Sequence, residues 1–111
     1  MSTITKTNKD LNKKEVYQMT KSPKIQKMSN NKGEVIDVAA YCFYTEEKND
    51  GKSVDIVSIM DNDGAVYATN SPTFMSDFED ICDIMEGEDF SIEIISGTSK
   101  AGREFITCAL V

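Results

Sequence analysis

The chain contains no histidine and no glycine-rich phosphate-binding motif, and its three cysteines form no CxxC pair. Histidine is the commonest general base near neutral pH, and a nucleophilic cysteine usually needs one as its partner. Cys42, Cys82 and Cys108 are too few and too widely spaced for a four-ligand zinc site. The sequence therefore predicts a protein that is not an enzyme, with buried reduced thiols and with neither a metal nor another cofactor.

The chain also lacks any run of about 18 apolar residues, the length that a membrane-spanning helix needs. Its first residues, MSTITKTNKDLNKK, are polar and rich in lysine, without the apolar stretch of a secretory signal. We therefore expect no membrane partner and a cytoplasmic location. The 111 residues are enough for one domain and too few for a second core.

Charge is distributed unevenly along the chain. Residues 1–32 carry eight lysines and two acids, whereas residues 33–111 carry four basic and seventeen acidic residues. The net charge of −7 thus divides into +6 for the first segment and −13 for the second. We predict a flexible basic arm over residues 1–14, followed by a single domain over residues 15–111. Such an arm either stays solvated or binds a charged partner, and the sequence leaves both interpretations open.

Strand signals dominate the rest of the chain. Residues 34–47 favour one long strand, bent at its small residues Ala39 and Ala40. The segment DNDG, residues 61–64, lies between two apolar runs and predicts a hairpin turn. Two further strands are predicted near the C-terminus, and a short helix capped by Asp10 is predicted over residues 11–20.

A longer helix is predicted from Ser71 to Glu86. Ser71 suits the N-cap, and Pro72 suits the first helical position, where its missing N–H is not needed. An apolar stripe follows at helical spacing, formed by Phe74, Phe78, Ile81 and Met85. The resulting order, β-β-β-α-β-β, predicts a mainly β protein of the α+β class, a five-stranded OB-like barrel with one helix.

OB folds bind oligonucleotides on their second and third strands and on the flanking loops. In this chain the segment SGTSKAGRE places two glycines, three hydroxyl side chains and two cations within nine residues. Glycine permits close approach of the backbone, and hydroxyl and cationic side chains contact phosphate. Aromatic side chains on the strands would stack on bases. The predicted nucleic-acid-binding residues are Lys100, Arg103, Ser99 and Thr98 for phosphate contacts, with Tyr67, Tyr41 and Tyr44 for stacking.

Three segments, VYQMTKSPKIQKMS, DGAVYATNSPTF and ISGTSKAGREFITCALV, resemble the small single-stranded DNA-binding proteins of tailed phages that infect Gram-positive bacteria. The resemblance extends over residues 15–111. It implies an OB-like fold and sequence-tolerant binding of single-stranded DNA during phage replication, in the cytoplasm of the host cell. Bacterial single-strand binders usually end in an acidic tail, whereas this chain ends in a predicted strand.

The function that we expect is therefore sequence-independent binding of single-stranded DNA in phage DNA replication or recombination. Single-stranded DNA and replication proteins are the expected partners, and an exposed edge strand leaves self-association into a homo-oligomer open. The alternative is an acidic DNA mimic that inhibits a host nucleic-acid enzyme. A structural or assembly role is a third interpretation. The mimic interpretation rests on an acidic helix face and the segment after it, formed by Asp77, Glu79, Asp80, Asp83, Glu86, Glu88 and Asp89.

Overall fold

The protein is described by a computed structural model that covers residues 2–111. The described chain contains seven strands and two α-helices, with a short 3-10 helix at Met28–Asn30. Their bounds, in chain order, are β1 Ser2–Thr7, α1 Lys13–Thr20, β2 Gln26–Lys27, β3 Val35–Glu47, β4 Ser53–Asp61, β5 Val66–Thr69, α2 Pro72–Ile84, β6 Phe90–Thr98 and β7 Glu104–Leu110. Neither helix of the described chain is long and apolar enough to cross a membrane.

All seven strands belong to one curled sheet, a half-barrel in the order β2-β5-β4-β3-β6-β7, with β1 paired to β3. The pairs are antiparallel except for β2 with β5, which is parallel. The predicted mainly β class is confirmed, and β3–β5, α2, β6 and β7 follow the predicted order of an OB-like barrel. The predicted counts of five strands and one helix are wrong, because β1, α1 and β2 precede that unit.

The long strand β3 organises the sheet. Its first residues pair with β6, and the rest pairs with β4. The register with β4 shifts between Val38 and Ala40, so that Ala39 is the extra residue of a β-bulge. The predicted bend at this position is confirmed. A bulge increases the local twist and bends the strand, which helps one strand serve two sides of a curled sheet.

The chain begins with a strand where a flexible arm is predicted. β1 pairs with β3, with Ser2 opposite Glu46 and Thr7 opposite Cys42. Its sequence, STITKT, is rich in β-branched residues, which fit a pleated surface. Helix α1 then crosses the boundary predicted at residue 14. It is capped by Asn12 in place of the predicted Asp10, because Asn12 and Glu15 form a reciprocal capping box.

Helix α2 has the cap that the sequence predicts. The Ser71 hydroxyl accepts a hydrogen bond from the Phe74 N–H, and Pro72 occupies the first turn. Phe74 and Phe78 are fully buried, Ile81 is partly buried against the same core, and Met85 is half-buried at the C-cap. The helix therefore closes one side of the half-barrel through its aromatic residues.

Two apolar clusters lie on opposite faces of the sheet. The inner cluster, between the curled sheet and α2, includes Ile36, Val57, Phe74, Phe78 and Ile94. The outer cluster is smaller and lies between the sheet and the N-terminal segment; its buried members are Met19, Ala40, Cys42, Tyr44 and Val66. The N-terminal segment thus covers part of the outer surface of β3, β4 and β5.

Candidate nucleic-acid interface

Four of the predicted site residues come together at the tip of the β6–β7 hairpin. Thr98, Ser99, Lys100 and Arg103 are all exposed there. The turn is closed by a hydrogen bond of 2.8 Å from the Ser99 N–H to the Arg103 carbonyl. Gly102 has a φ of 81°, a left-handed conformation that glycine adopts without strain. The hairpin therefore presents two cations and two hydroxyls to solvent on a short, well-defined turn.

Behind this tip, the Phe105 ring covers Gly97 on the neighbouring strand. The two residues are direct cross-strand partners. A Cβ atom added at Gly97 would lie 2.6 Å from the ring, so only glycine permits this approach. Phe105 is half-buried as a result and stays close to the hairpin backbone. Neither Gly97 nor Phe105 was among the predicted binding residues.

The structure does not bring the three predicted tyrosines together on one surface. Tyr41 and Tyr44 are three residues apart on β3, so their side chains point to opposite faces of the sheet. The bulge at Ala39 decides which face each one takes, with Tyr41 in the inner cluster and Tyr44 in the outer cluster. Tyr41 is 8% exposed and Tyr44 is 4% exposed. Burial raises the pKa of each hydroxyl to about 12. Both side chains are therefore largely covered in this conformation.

Tyr67 is half-buried and packs against the inner cluster from β5. Burial raises the pKa of its hydroxyl, and the negative charges of Asp61, Glu34 and Asp63 add to the shift. Of the three tyrosines, Tyr67 is the one with appreciable exposure, although acidic groups lie near its hydroxyl.

A groove that the sequence did not predict runs along the open side of the half-barrel. It consists of two concavities that share Ser29, Thr69 and Asn70, and we call it the seam groove. Lys27 lines the first concavity, and Lys32 and Phe105 line the second. Tyr44 forms part of the floor of the first concavity. The seam groove therefore leads from β2 past the N-terminus of α2 to the base of the β6–β7 hairpin.

The charge along the seam groove is predominantly positive. Among the described residues, Lys27 makes no ion pair, and Lys32 bonds to Glu104 at 3.1 Å. Glu104 is the one acidic residue that lines the groove within residues 2–111. The seam also exposes the first turn of α2, where the Thr73 N–H and the positive end of the helix dipole favour negative charge. A flexible, negatively charged chain fits these features better than a compact neutral ligand does.

A family model described as phage single-stranded DNA-binding protein matches residues 2–111. The chain belongs to this family. The match confirms the resemblance seen in the sequence and indicates single-stranded DNA as the partner. No curated protein and no solved structure gives a significant match.

The opposite side of this phage single-stranded DNA-binding protein is acidic. A cavity between β1 and the end of α2 is lined by one lysine, Lys6, and by four acids, Asp83, Glu86, Glu88 and Asp89. Lys6 forms an ion pair of 3.1 Å with Asp83. Within residues 2–111, no group of acidic and cysteine side chains is placed to bind a metal. The carboxylates that line this cavity disfavour the binding of phosphate groups there.

Proposed function

We propose that the protein binds single-stranded DNA without sequence preference, in the replication or recombination of phage DNA in the host cytoplasm. The observation that carries this proposal is the seam groove, which is lined by Lys27 and Lys32 and leads to the exposed hairpin with Lys100 and Arg103. The half-barrel would then function as an OB-like fold, in which such hairpins flank the bound strand.

The proposed path assigns a role to each part of the site. Lys27 and Lys32 neutralise phosphates along the groove, while Lys100 and Arg103 hold the strand where it leaves the groove. Ser99 and Thr98 add hydroxyl contacts to the sugar-phosphate backbone. Phosphate contacts of this kind carry no sequence information, which agrees with binding that is independent of sequence.

Stacking would supply the remaining affinity. Phe105 lines the groove with one ring face supported by Gly97, and Tyr67 remains a proposed stacking residue at the edge of the inner cluster. Every base has a π face, so stacking on such rings tolerates any sequence. The binding of a strand by both lysines and rings is the usual combination for single-strand binders.

The proposal is tested by equilibrium binding of poly-dT across a salt series, with duplex DNA as a comparison. For single strands, log K falls with log salt at a slope of about −0.7 for each phosphate neutralised. The double variant Lys100→Ala, Arg103→Ala should therefore reduce the slope by about 1.4, and Lys27→Ala should reduce it by about 0.7. All sequences should be weakened alike.

Lys6→Ala is the matched control for Lys27→Ala, because it removes one lysine from the acidic cavity. It should leave the slope unchanged. Failure of the wild-type protein to bind poly-dT at low salt and micromolar concentration would overturn the proposal. Capture of a basic nuclease or polymerase by such a protein, with loss of capture on changing Asp77, Asp80 and Asp83 to Asn, would instead support the DNA-mimic interpretation.

A further inference from the structure

A further concavity, separate from the seam groove and from the acidic cavity, lies beside helix α1 on the side where the N-terminal segment crosses the sheet. We call it the α1 cleft. Ile25 lines both this concavity and the seam groove, so the two lie side by side. Its lining includes Lys14, Tyr17, Gln18, Lys24, Gln26 and Gly64. We infer that the α1 cleft is an additional single-stranded DNA contact, in which Tyr17 stacks on one base and Lys14 and Lys24 bind the flanking phosphates.

The exposure of Tyr17 is the first observation. Tyr17 is 53% exposed, whereas Met19 and Thr20 on the same helix are buried. Among the described residues, the Tyr17 hydroxyl makes no hydrogen bond. The backbone beneath it is fixed, since its carbonyl accepts hydrogen bonds from the N–H groups of Lys21 and Ser22 at 2.9 and 3.1 Å. A tyrosine ring with a fixed base and an open face is a suitable stacking platform.

The charges around the ring are the second observation. Lys14 and Lys24 line the cleft, and neither makes an ion pair within the part of the chain that the structure describes. No acidic residue of the described chain lines the cleft. In the neighbouring β4–β5 turn, the Asp61 carboxylate already accepts hydrogen bonds from the N–H groups of Asp63 and Ala65, both at 2.9 Å.

The shape of the cleft is the third observation. Gly64, which has no side chain, and Ala65, whose side chain is a single methyl group, also line the cleft and take up little of its space. Gln18 and Gln26 offer amide groups that both donate and accept hydrogen bonds, so they suit any base. Because the α1 cleft and the seam groove adjoin at Ile25, a strand that leaves the groove has only this one side chain to pass before it reaches the cleft.

The inference rests on the proposed function, because it extends the same bound strand. It predicts a longer binding site than the seam groove alone provides. Oligo-dT too short to reach the cleft should bind equally well to the wild-type protein and to Tyr17→Ala. Longer oligo-dT should bind more weakly to Tyr17→Ala, by a factor between about 5 and about 150, with an unchanged salt slope. Tyr17→Phe should retain most of the affinity, because stacking does not need the hydroxyl.

Fluorescence provides a direct reading, because the chain contains no tryptophan. Tyr17→Trp introduces a single reporter that keeps a stacking ring, and its emission should be quenched as long oligo-dT saturates the protein. Ile84→Trp is the matched control, since Ile84 is 77% exposed on the acidic helix α2. Its emission should not change.

The outcomes separate this inference from the proposed function. If long oligo-dT binds, but the Tyr17→Trp emission is unchanged and Tyr17→Ala binds normally, the α1 cleft is not a DNA contact and the seam groove proposal stands. Equal quenching of Ile84→Trp would also overturn the inference, because the response would not be specific to the cleft. If the wild-type protein binds no single-stranded DNA, both proposals fail.

Discussion

Phe78 lies at the centre of the aromatic packing in the inner cluster. Its ring contacts those of Tyr41, Phe43, Phe74 and Phe90, with centroid distances between 5.4 and 6.2 Å. Its exposed fraction is 0%. Because aromatic rings from β3, α2 and β6 meet at this side chain, its packing joins the helix to both parts of the curled sheet.

Phe78→Ala should lower the free energy of unfolding by about 3–5 kcal/mol, because it removes a fully buried ring and leaves a cavity. Urea denaturation followed by far-UV circular dichroism measures this loss. Ile84→Ala, on the exposed face of the same helix, is the control and should change stability by no more than about 0.5 kcal/mol. A loss below about 1 kcal/mol for Phe78→Ala would contradict the packing described.

At the scale of elements, a side-chain amide joins the end of β1 to the bulge in β3. Asn8 follows β1 and faces the bulge in β3. Its Nδ2 donates to the Ala39 carbonyl at 3.3 Å, and its Oδ1 accepts from the Tyr41 N–H at 3.0 Å. The amide therefore satisfies backbone groups next to the extra residue of the bulge, where the regular ladder is interrupted.

Asn8→Ala should destabilise the protein by about 1–2 kcal/mol, because the N–H of the buried residue Tyr41 loses its partner. Asn8→Asp keeps an acceptor for that N–H, but it removes the donor to Ala39 and adds a negative charge to the acidic cavity that Asn8 also lines, so we expect it to recover only part of the loss. Urea denaturation gives both values, and hydrogen exchange of the Tyr41 amide reports the local change. Equal stability of Asn8→Ala and the wild-type protein would contradict this role.

The sequence predicted those elements whose signals are local. Helix α2 could be predicted because Ser71, Pro72 and the apolar stripe all lie within one segment. The strand β1 could not, because its alternating threonines become a strand only when β3 provides a partner. The faces of the tyrosines could not be predicted for a related reason: the sequence does not show the bulge at Ala39, which places Tyr41 on the face of Val38 although the two residues are three apart.

The seam groove and the α1 cleft could not be predicted because they are formed by segments far apart in the chain. Lys32 and Phe105 line one concavity, and Lys14 and Gly64 line the other. The sequence did show that the first 32 residues are basic. It could not show that part of this segment folds across the sheet and aligns its lysines with the open seam.

At the scale of the whole molecule, charge is separated between two sides. Lysines from the N-terminal segment line the seam groove and the α1 cleft, and acids from α2 and the segment after it line the opposite cavity. A net charge of −7 would repel DNA if it were spread evenly. The separation allows short-range attraction at the groove and disfavours the acidic cavity, so we expect single-stranded DNA to bind on the side of the groove.

The pH dependence of stability is also a property of the whole molecule. Burial raises the pKa of the Cys42 and Cys82 thiols to about 11 and that of Cys108 to about 12. Their contribution to stability is therefore complete below the thiol pKa of the unfolded chain, about 8.5. Above that value the unfolded chain loses its protons first, so the contribution falls until the pH passes the folded pKa values. Tyr41 and Tyr44 add to the loss above about pH 10 for the same reason.

We therefore expect the free energy of unfolding to change little between about pH 6 and 8, since the chain has no histidine to titrate there. From about pH 9 to pH 11 the free energy of unfolding should fall. At pH 10 each thiol should have lost an amount on the order of 1 kcal/mol relative to its contribution at pH 8. Urea denaturation at each pH measures the profile. A variant with Cys42, Cys82 and Cys108 all changed to Ala is less stable throughout because of its cavities, but its stability should fall less steeply between pH 8 and 10. An identical alkaline slope in the two proteins would show that the buried thiols do not cause the loss.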